Sequence, residues 1–440
     1  MTGLEAALWS FPALLGLILL RVPIGLAMLL LGVAGTWYVT GSPTPVLAQL
    51  KSLAYSTFAS YALSIIPLFL LMGQFATRGG LSAALFRAAA AWIGHRRGGV
   101  AMAAVGACGG FGAICGSSLA TAATMGQVAL PELRRLGYSG GLATGTLAAG
   151  GTLGILVPPS VVLVIYALLT EQNIIKLFAA ALVPAVLAAA GYLLVVALYV
   201  RLVPTAAGTR PKADARERRS ALLATWPVLA LFALVIGGIY AGWFTPTEGA
   251  AVGAAGTGLV ALARGGLDRQ GLGETLTATA TSTGMIFFVL LGAAVFNGFL
   301  AFAQLPQAAV EVIAASGASP WTVLLLILLG YLVLGCIMDS LSMILLTVPI
   351  VFPVVMHLDF GLSPTETALW FGILVLVVVE VGLITPPVGL NLFVINGLAP
   401  DVPLHHTFRA ALPFVLGDLV RVALLAAFPV LSLGLVRLLF

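Results

Sequence analysis

Runs of about 20 apolar residues recur along the chain, each closed by a short polar or basic turn, and the two-residue alternation of a transmembrane β-barrel is absent. These runs predict membrane-spanning helices. Residues 3–20, 24–40 and 48–77 read as the first spans, 139–170 and 180–203 as the next two, then 221–243, 249–263 and 275–303, and finally 366–397 and 411–437.

Two stretches do not fit a simple crossing. About 36 residues separate Arg97 from Arg134, and with both basic ends in the cytoplasm this stretch must enter the membrane and return. Two arms of roughly 17 residues at about 1.5 Å per residue reach about 25 Å, which suits a re-entrant helical hairpin better than two short spans. Its tip is Gly116-Ser117-Ser118. Residues 320–353 form the counterpart, with Asp339-Ser340 at the tip; its flanks Pro320, His357 and Asp359 carry no Lys or Arg, as an exterior side should.

The two hairpins belong to a repeated pattern. Ser118 to Pro131 and Ser340 to Pro353 are both 13 residues, and Gly154 to Pro158-Pro159 and Gly382 to Pro386-Pro387 both begin 4 residues apart. Taken alone, Gly-Ser-Ser and the glycine runs read as tight helix packing, the usual role of small residues in membranes. The second copy with matched Pro-Pro reverses that reading. It points to helices broken at membrane depth, which must line a cavity or lie buried in protein. The helix over 139–170 is expected to unwind through Gly150-Gly151-Thr152-Leu153-Gly154 and Pro158-Pro159. The fold class is therefore an all-α polytopic membrane protein of two inverted repeats, each with a re-entrant hairpin and a broken transmembrane helix.

Composition agrees. With 61% hydrophobic residues, 8% charged residues and a mean hydropathy of +1.13, a soluble globular protein is excluded. The net charge of +5 does not indicate a nucleic-acid partner, because the basic residues sit in short loops; the lipid bilayer is the expected partner. Arg21, Arg78, His95-Arg96-Arg97, Arg134-Arg135, the Arg210–Arg219 cluster, Arg264, Arg269 and Arg409 are placed in the cytoplasm. This puts the N-terminus outside, and Arg437 outside as well. Cys108, Cys115 and Cys336 lie in apolar segments and read as small packing residues rather than a disulfide or zinc site. The first apolar run follows Glu5 and lacks a cleavage site, so it is expected to remain as a span. Thr245-Pro246-Thr247-Glu248 and Ser363-Pro364-Thr365-Glu366 each spell a capping box with proline at the first helical position.

The chemistry follows from the breaks. Helix ends at a hairpin tip or an unwound segment leave N–H or C=O groups unpaired, with roughly half an elementary charge at each end. Carbonyl ends and hydroxyls suit a small hard cation such as Na⁺, and N-terminal ends attract a carboxylate. The first ion site is assigned to Ser117 and Ser118 with Gly151, Thr152, Gly154 and Pro158; the second to Asp339, Ser340, Gly382, Thr385 and Pro386. Asp339, an acid at a tip, needs a cation, hydrogen-bond donors or a proton. Glu380, two residues before Gly382, is open to serving a proton or ion, or to contacting water or a partner subunit. Asp418 and Arg421, three apart, are expected to pair, and His405-His406 to be solvated. No Walker A sequence and no nucleophile with an adjacent base is present, so the chain is not read as an enzyme, and energy must come from an ion gradient or another chain.

At these residues the chain resembles the large membrane subunit of a tripartite ATP-independent periplasmic (TRAP) transporter. The motifs are Phe111-Gly112-Ala113-Ile114 through Ser118-Leu119-Ala120-Thr121-Ala122, Leu136-Gly137-Tyr138, Gly151-Thr152-Leu153-Gly154 through Pro158-Pro159-Ser160, Met338-Asp339-Ser340, and Gly382 through Pro386-Pro387-Val388-Gly389-Leu390-Asn391. The usual tip has serine where this chain has Cys115. The resemblance implies an elevator-type importer of an organic acid with Na⁺ as coupling ion, in the bacterial inner membrane, working with a periplasmic substrate-binding protein and a separate small membrane subunit. It places Ser118, Thr121, Asp339, Ser340 and Asn391 against the substrate. Residues 1–97 would hold scaffold spans and the arm helix of repeat 1, 98–170 its transport block, 171–204 a scaffold span and 205–220 a cytoplasmic linker. Residues 221–319 would hold scaffold spans and the arm helix of repeat 2, 320–397 its transport block, and 398–440 the final scaffold span. A stand-alone ion-coupled anion carrier of the same superfamily is the alternative; a channel is a further one.

Overall fold

A computed structural model describes residues 2–440, and among them every regular element is helical. Repeat 1 opens with α1 (Gly3–Leu19), α2 (Ile24–Thr40), α3 (Thr44–Phe58), α4 (Ile65–Arg78) and a short α5 (Leu81–Ile93). The first hairpin is α6 (Gly99–Cys115) and α7 (Ser118–Arg135), the first broken helix α8 (Gly140–Leu156) and α9 (Val161–Leu169), and α10 (Ile174–Leu202) follows. Repeat 2 runs α11 (Ala215–Tyr240), α12 (Pro246–Ala263), α13 (Arg269–Phe302) and a short α14 (Leu305–Ser316). Its hairpin is α15 (Pro320–Gly335) and α16 (Ser340–Met356), its broken helix α17 (Pro364–Leu383) and α18 (Leu390–Gly397), and α19 (Leu404–Ala427) and α20 (Val430–Leu439) end the chain.

Five helices, α10, α11, α13, α17 and α19, are each long and apolar enough to cross a bilayer, and the bent pairs α3–α4 and α8–α9 bring the number to seven. Most of them expose large apolar side chains, such as Leu194 on α10, Trp226 on α11, Met285 on α13 and Leu416 on α19, as a lipid-facing surface requires. α17 is the exception, buried at every residue from Thr367 to Leu383. It forms the centre of the molecule.

The repeats are related by an exchange of contacts. α6 packs on α8 as α15 packs on α17, α7 on α18 as α16 on α9, and α8 on α19 as α17 on α10. Among the outer helices, α2 packs on α13 as α12 packs on α4. Small residues set the closest approaches: a Cβ on Gly32 of α2 would lie 2.7 Å from the Phe296 nitrogen of α13.

Both predicted capping boxes form, Glu248 bonding back to the Thr245 nitrogen at 2.8 Å and Glu366 to the Ser363 nitrogen at 3.0 Å. Arg437, near the end of α20, donates to Glu366 in the first turn of α17 at 2.7 Å, so this basic residue is paired with an acid.

Four expectations change. The run 48–77 is not one helix: α3 and the segment from Ala62 to Arg78 meet at 55°. Ala59-Ser60-Tyr61 holds neither glycine nor proline, and the bend follows packing on α13, where Phe58 stacks on Phe287 at 5.6 Å. The run 411–437 is likewise interrupted at Phe428-Pro429, where a proline cannot continue the helical ladder. Gly150 to Gly154 do not unwind; they are helical, and the break falls at residues 157–160. These glycines admit neighbours, since a Cβ on Gly151 would lie 2.6 Å from Ala122 Cβ and one on Gly150 2.9 Å from Cys108 Sγ. Finally, the stretch 205–220 is not a free linker. α11 already begins at Ala215, the Ala206 carbonyl accepts from Ser139 N at 2.9 Å, and Arg210 N donates to the Gly94 carbonyl at 3.1 Å.

Candidate functional site

Each break is made by its prolines. In α8 the Val157 nitrogen still reaches the Leu153 carbonyl at 3.0 Å, but Pro158 and Pro159 have no N–H to give to the carbonyls of Gly154 and Ile155. Val157 turns extended (ψ 118°), as a residue before proline prefers, and Ser160 caps the start of α9. In α17 the last turn tightens, with Thr385 N donating to the Gly382 carbonyl at 3.0 Å and the Thr385 hydroxyl to the Val381 carbonyl at 2.6 Å. Pro387 then leaves the Leu383 carbonyl without its helical donor. Gly389, at φ +66°, turns the chain into α18.

The hairpin tips lie against these breaks. Gly116, at φ +64°, ends α6, and a Cβ there would lie 3.2 Å from the Pro159 carbonyl oxygen. A Cβ on Gly154 would lie 2.6 Å from the Ser117 carbonyl oxygen and collide with the Thr121 hydroxyl. At the second tip the Gly389 nitrogen donates to the Cys336 carbonyl at 3.2 Å, and a Cβ on Gly382 would lie 2.6 Å from Gly335 Cα. Pro158 and Pro386 flank the two junctions. All three cysteines are free and buried, with Cys115 and Cys336 adjoining the tips.

Ser117 and Asp339 occupy equivalent positions: each is an N-cap whose side chain accepts a backbone N–H, from Ala120 at 3.4 Å and from Ser342 at 3.1 Å. Asp339 is half-buried and its donor is that backbone amide. Ser118 and Ser340 are the first helical residues of α7 and α16, and both are buried. Their hydroxyls converge on one atom, Glu380 Oε1, at 3.4 Å and 2.9 Å. Glu380 is 1% exposed, and its Oε2 has no hydrogen-bond partner. This meeting point was not assigned from the sequence; the available signal was an acid two residues before the glycine of a break.

The remaining assigned residues divide. Asn391 of α18 reaches across to α8, its amide donating to the Ala148 carbonyl at 3.2 Å beside Gly151, and its Oδ1 is unpartnered, as is the buried Thr121 hydroxyl. The Gly151 and Thr152 carbonyls lie inside the α8 ladder; those of Gly154 and Ile155 are the freed ones. The Thr152 side chain points away from the tip. Its hydroxyl meets Tyr192 of α10 at 2.6 Å, Tyr192 donates to Asp418 of α19 at 2.7 Å, and Asp418 pairs with Arg421 at 3.0 Å. Around the two tips, hydroxyl, amide, carboxylate and carbonyl oxygens therefore lie buried with several lone pairs free, a donor set that fits a hard cation. Among the described residues no cluster of three His, Cys, Asp or Glu offers a transition-metal site.

Comparison with known proteins agrees with this architecture. Residues 11–431 match the family described as tripartite ATP-independent periplasmic transporter, DctM component. The C4-dicarboxylate TRAP transporter large permease protein DctM of Pseudomonas aeruginosa is 40% identical over 392 residues, spanning 88% of this chain and 90% of that one. The sialic acid TRAP transporter large permease protein SiaM of Vibrio cholerae is 32% identical over 424 residues, 95% and 96% of the two chains. Among solved structures, the Alcanivorax borkumensis YdaH transporter shares the fold, with a TM-score of 0.62 over 87% of this chain and 88% of that one at 17% identity. With nearly its whole length matched and relatives of this similarity, the chain belongs to the large permease family of TRAP transporters, a multi-pass membrane protein rather than an enzyme.

Proposed function

We propose that this permease imports an organic acid, a carboxylate such as a C4-dicarboxylate or a sugar acid, coupled to a Na⁺ gradient across the bacterial inner membrane. In this reading it receives its substrate from a periplasmic binding protein and works beside a small membrane subunit. The observation that carries the proposal is the convergence of two hairpin tips and two proline-broken helices in the buried centre, where oxygen atoms without partners gather.

One Na⁺ is assigned to the first junction, held by Ser117, Ser118 and the freed carbonyls beyond Gly154; a second is assigned to Asp339, Ser340, Thr385 and the Gly382–Pro386 turn. The N-terminal ends of α7 and α16 carry partial positive charge and favour a substrate carboxylate near Ser118, Thr121, Ser340 and Asn391. Transport is an elevator motion in which residues 98–170 and 320–397 move as one block. The hydrogen-bonded chain from Thr152 through Tyr192 to Asp418 ties α10 and α19 to that block, as does the Trp370 indole donating to the Leu425 carbonyl at 2.8 Å, so we place these two helices with it rather than with the static scaffold.

The test is Na⁺-driven uptake of a radiolabelled C4-dicarboxylate or sialic acid into proteoliposomes, with and without a binding protein and small subunit. Asp339→Asn and Ser118→Ala should each raise the Na⁺ concentration for half-maximal uptake by about tenfold, one hard-cation ligand being worth of the order of 1.4 kcal/mol here, while leaving membrane insertion intact. Unchanged Na⁺ dependence in both would remove the site assignment, and uptake that needs no binding protein would favour a stand-alone carrier. Cross-links between block and scaffold that leave cycling intact would rule out the elevator.

A further inference from the structure

The two hairpins belong to different repeats and contribute no side-chain hydrogen bond directly between Ser118 and Ser340, yet both serines donate to the same carboxylate oxygen of Glu380. That oxygen has two lone pairs, and the two hydroxyls fill them. Glu380 sits on α17, the helix buried from Thr367 to Leu383 against which α15 and α16 pack, two residues before the glycine that receives the second hairpin. The charged groups whose fields reach it, Arg421 and Asp418 of α19, are paired with each other. The carboxylate is thus aimed at the tips.

We propose that Glu380 is a positioning residue that makes the two hairpin tips respond as a unit. As a shared acceptor it links them: a change at one serine hydroxyl moves the carboxylate oxygen, and the other hydroxyl, bonded to the same atom, follows. Its consequence for transport, that loading at one tip sets the geometry of the other, rests on the ion-coupled reading above. The linkage itself does not, and it can be measured without Na⁺ or substrate.

Two native thiols report on the tips. Cys115 ends α6 and Cys336 follows α15, both buried, so their alkylation rates read the opening of each tip; Cys108, inside α6, serves as the reference. Rates are followed by mass spectrometry on the full chain in Na⁺-free lipid vesicles. Ser340→Ala should change the Cys115 rate by about threefold or more, and Ser118→Ala the Cys336 rate likewise, the coupling expected of residues sharing one partner. In Glu380→Ala each serine substitution should act on its own tip only. In Glu380→Gln, whose amide oxygen can accept both hydroxyls, the cross-effect should persist. Serine substitutions that stay local in the native background, a cross-effect that survives Glu380→Ala, or its loss in Glu380→Gln would each overturn the proposal. Should Glu380→Ala fail to fold, the native-background pair and the glutamine variant still decide it. Failure of the ion-coupled reading would appear instead as uptake indifferent to Na⁺, with these rates unaffected.

Discussion

Positions 152 and 380 stand in the same place in the two repeats, each two residues before the glycine on which its hairpin packs, and they carry opposite arrangements. In repeat 1 a threonine turns away from the tip and joins Tyr192, Asp418 and Arg421, fastening the broken helix to α10 and α19. In repeat 2 a glutamate turns toward the centre and collects both tips. The junctions differ accordingly. Repeat 1 turns its tip in two residues, Gly116 and Ser117, and its break at Pro158-Pro159 is buried; repeat 2 uses residues 336–339, Thr385 and Pro386 are half-buried and Pro387 is exposed. One backbone device, a glycine followed by two prolines, thus supports an anchored side and a more open side.

The comparison is broken most severely at the anchor. Arg421→Leu leaves Asp418, 2% exposed, without its cation, and should lower the unfolding free energy by about 3–5 kcal/mol, read as a fall in the thermal midpoint of the purified protein. The double variant Asp418→Leu/Arg421→Leu should recover most of that loss, because no unpaired buried charge remains. Next come the glycine contacts. Gly154→Ala and Gly382→Ala each press a methyl group into backbone atoms that cannot yield, at a cost of about 1–3 kcal/mol in the same assay, whereas Gly191→Ala, with nothing within 4 Å, should be neutral or stabilising by up to about 1 kcal/mol. The smallest effects are at the caps. Ser117→Ala should lower stability by about 0.5–2 kcal/mol, and Asp339→Asn, which keeps the capping oxygen and loses only charge at a helix N-terminus, by about 0.3–1 kcal/mol. A larger stability loss from Asp339→Asn than from Ser117→Ala would show that the carboxylate has a partner beyond the cap.

What was legible in the sequence was what local chemistry dictates. Gly116-Ser117 and Asp339-Ser340 mark the tips because a left-handed glycine or an acidic N-cap ends one helix and starts another, and the Thr245 and Ser363 caps were readable for the same reason. Pro-Pro marks each break. The run Gly150–Gly154 misled because glycine signals either unwinding or close approach, and only the position of Ala122, Cys108 and Ser117 opposite it decides which. The bend after Phe58 carries no local signal, being set by α13. Glu380 and Thr152 were visible as polar residues in apolar helices, but their partners lie 40 residues or more away in sequence, at Ser118 and Ser340 and at Tyr192, so their roles were fixed by tertiary packing.

The enclosure of α17 has a bearing on how the protein is made. The ribosome delivers this segment to the bilayer after both hairpins but before α19, the helix whose Leu425 carbonyl receives the Trp370 indole. The helices made before it, α10, α15 and α16 among them, can cover part of α17 as it enters, while the face that Trp370 turns to α19 stays beside acyl chains on its own apolarity until the C-terminal helices arrive and complete the enclosure.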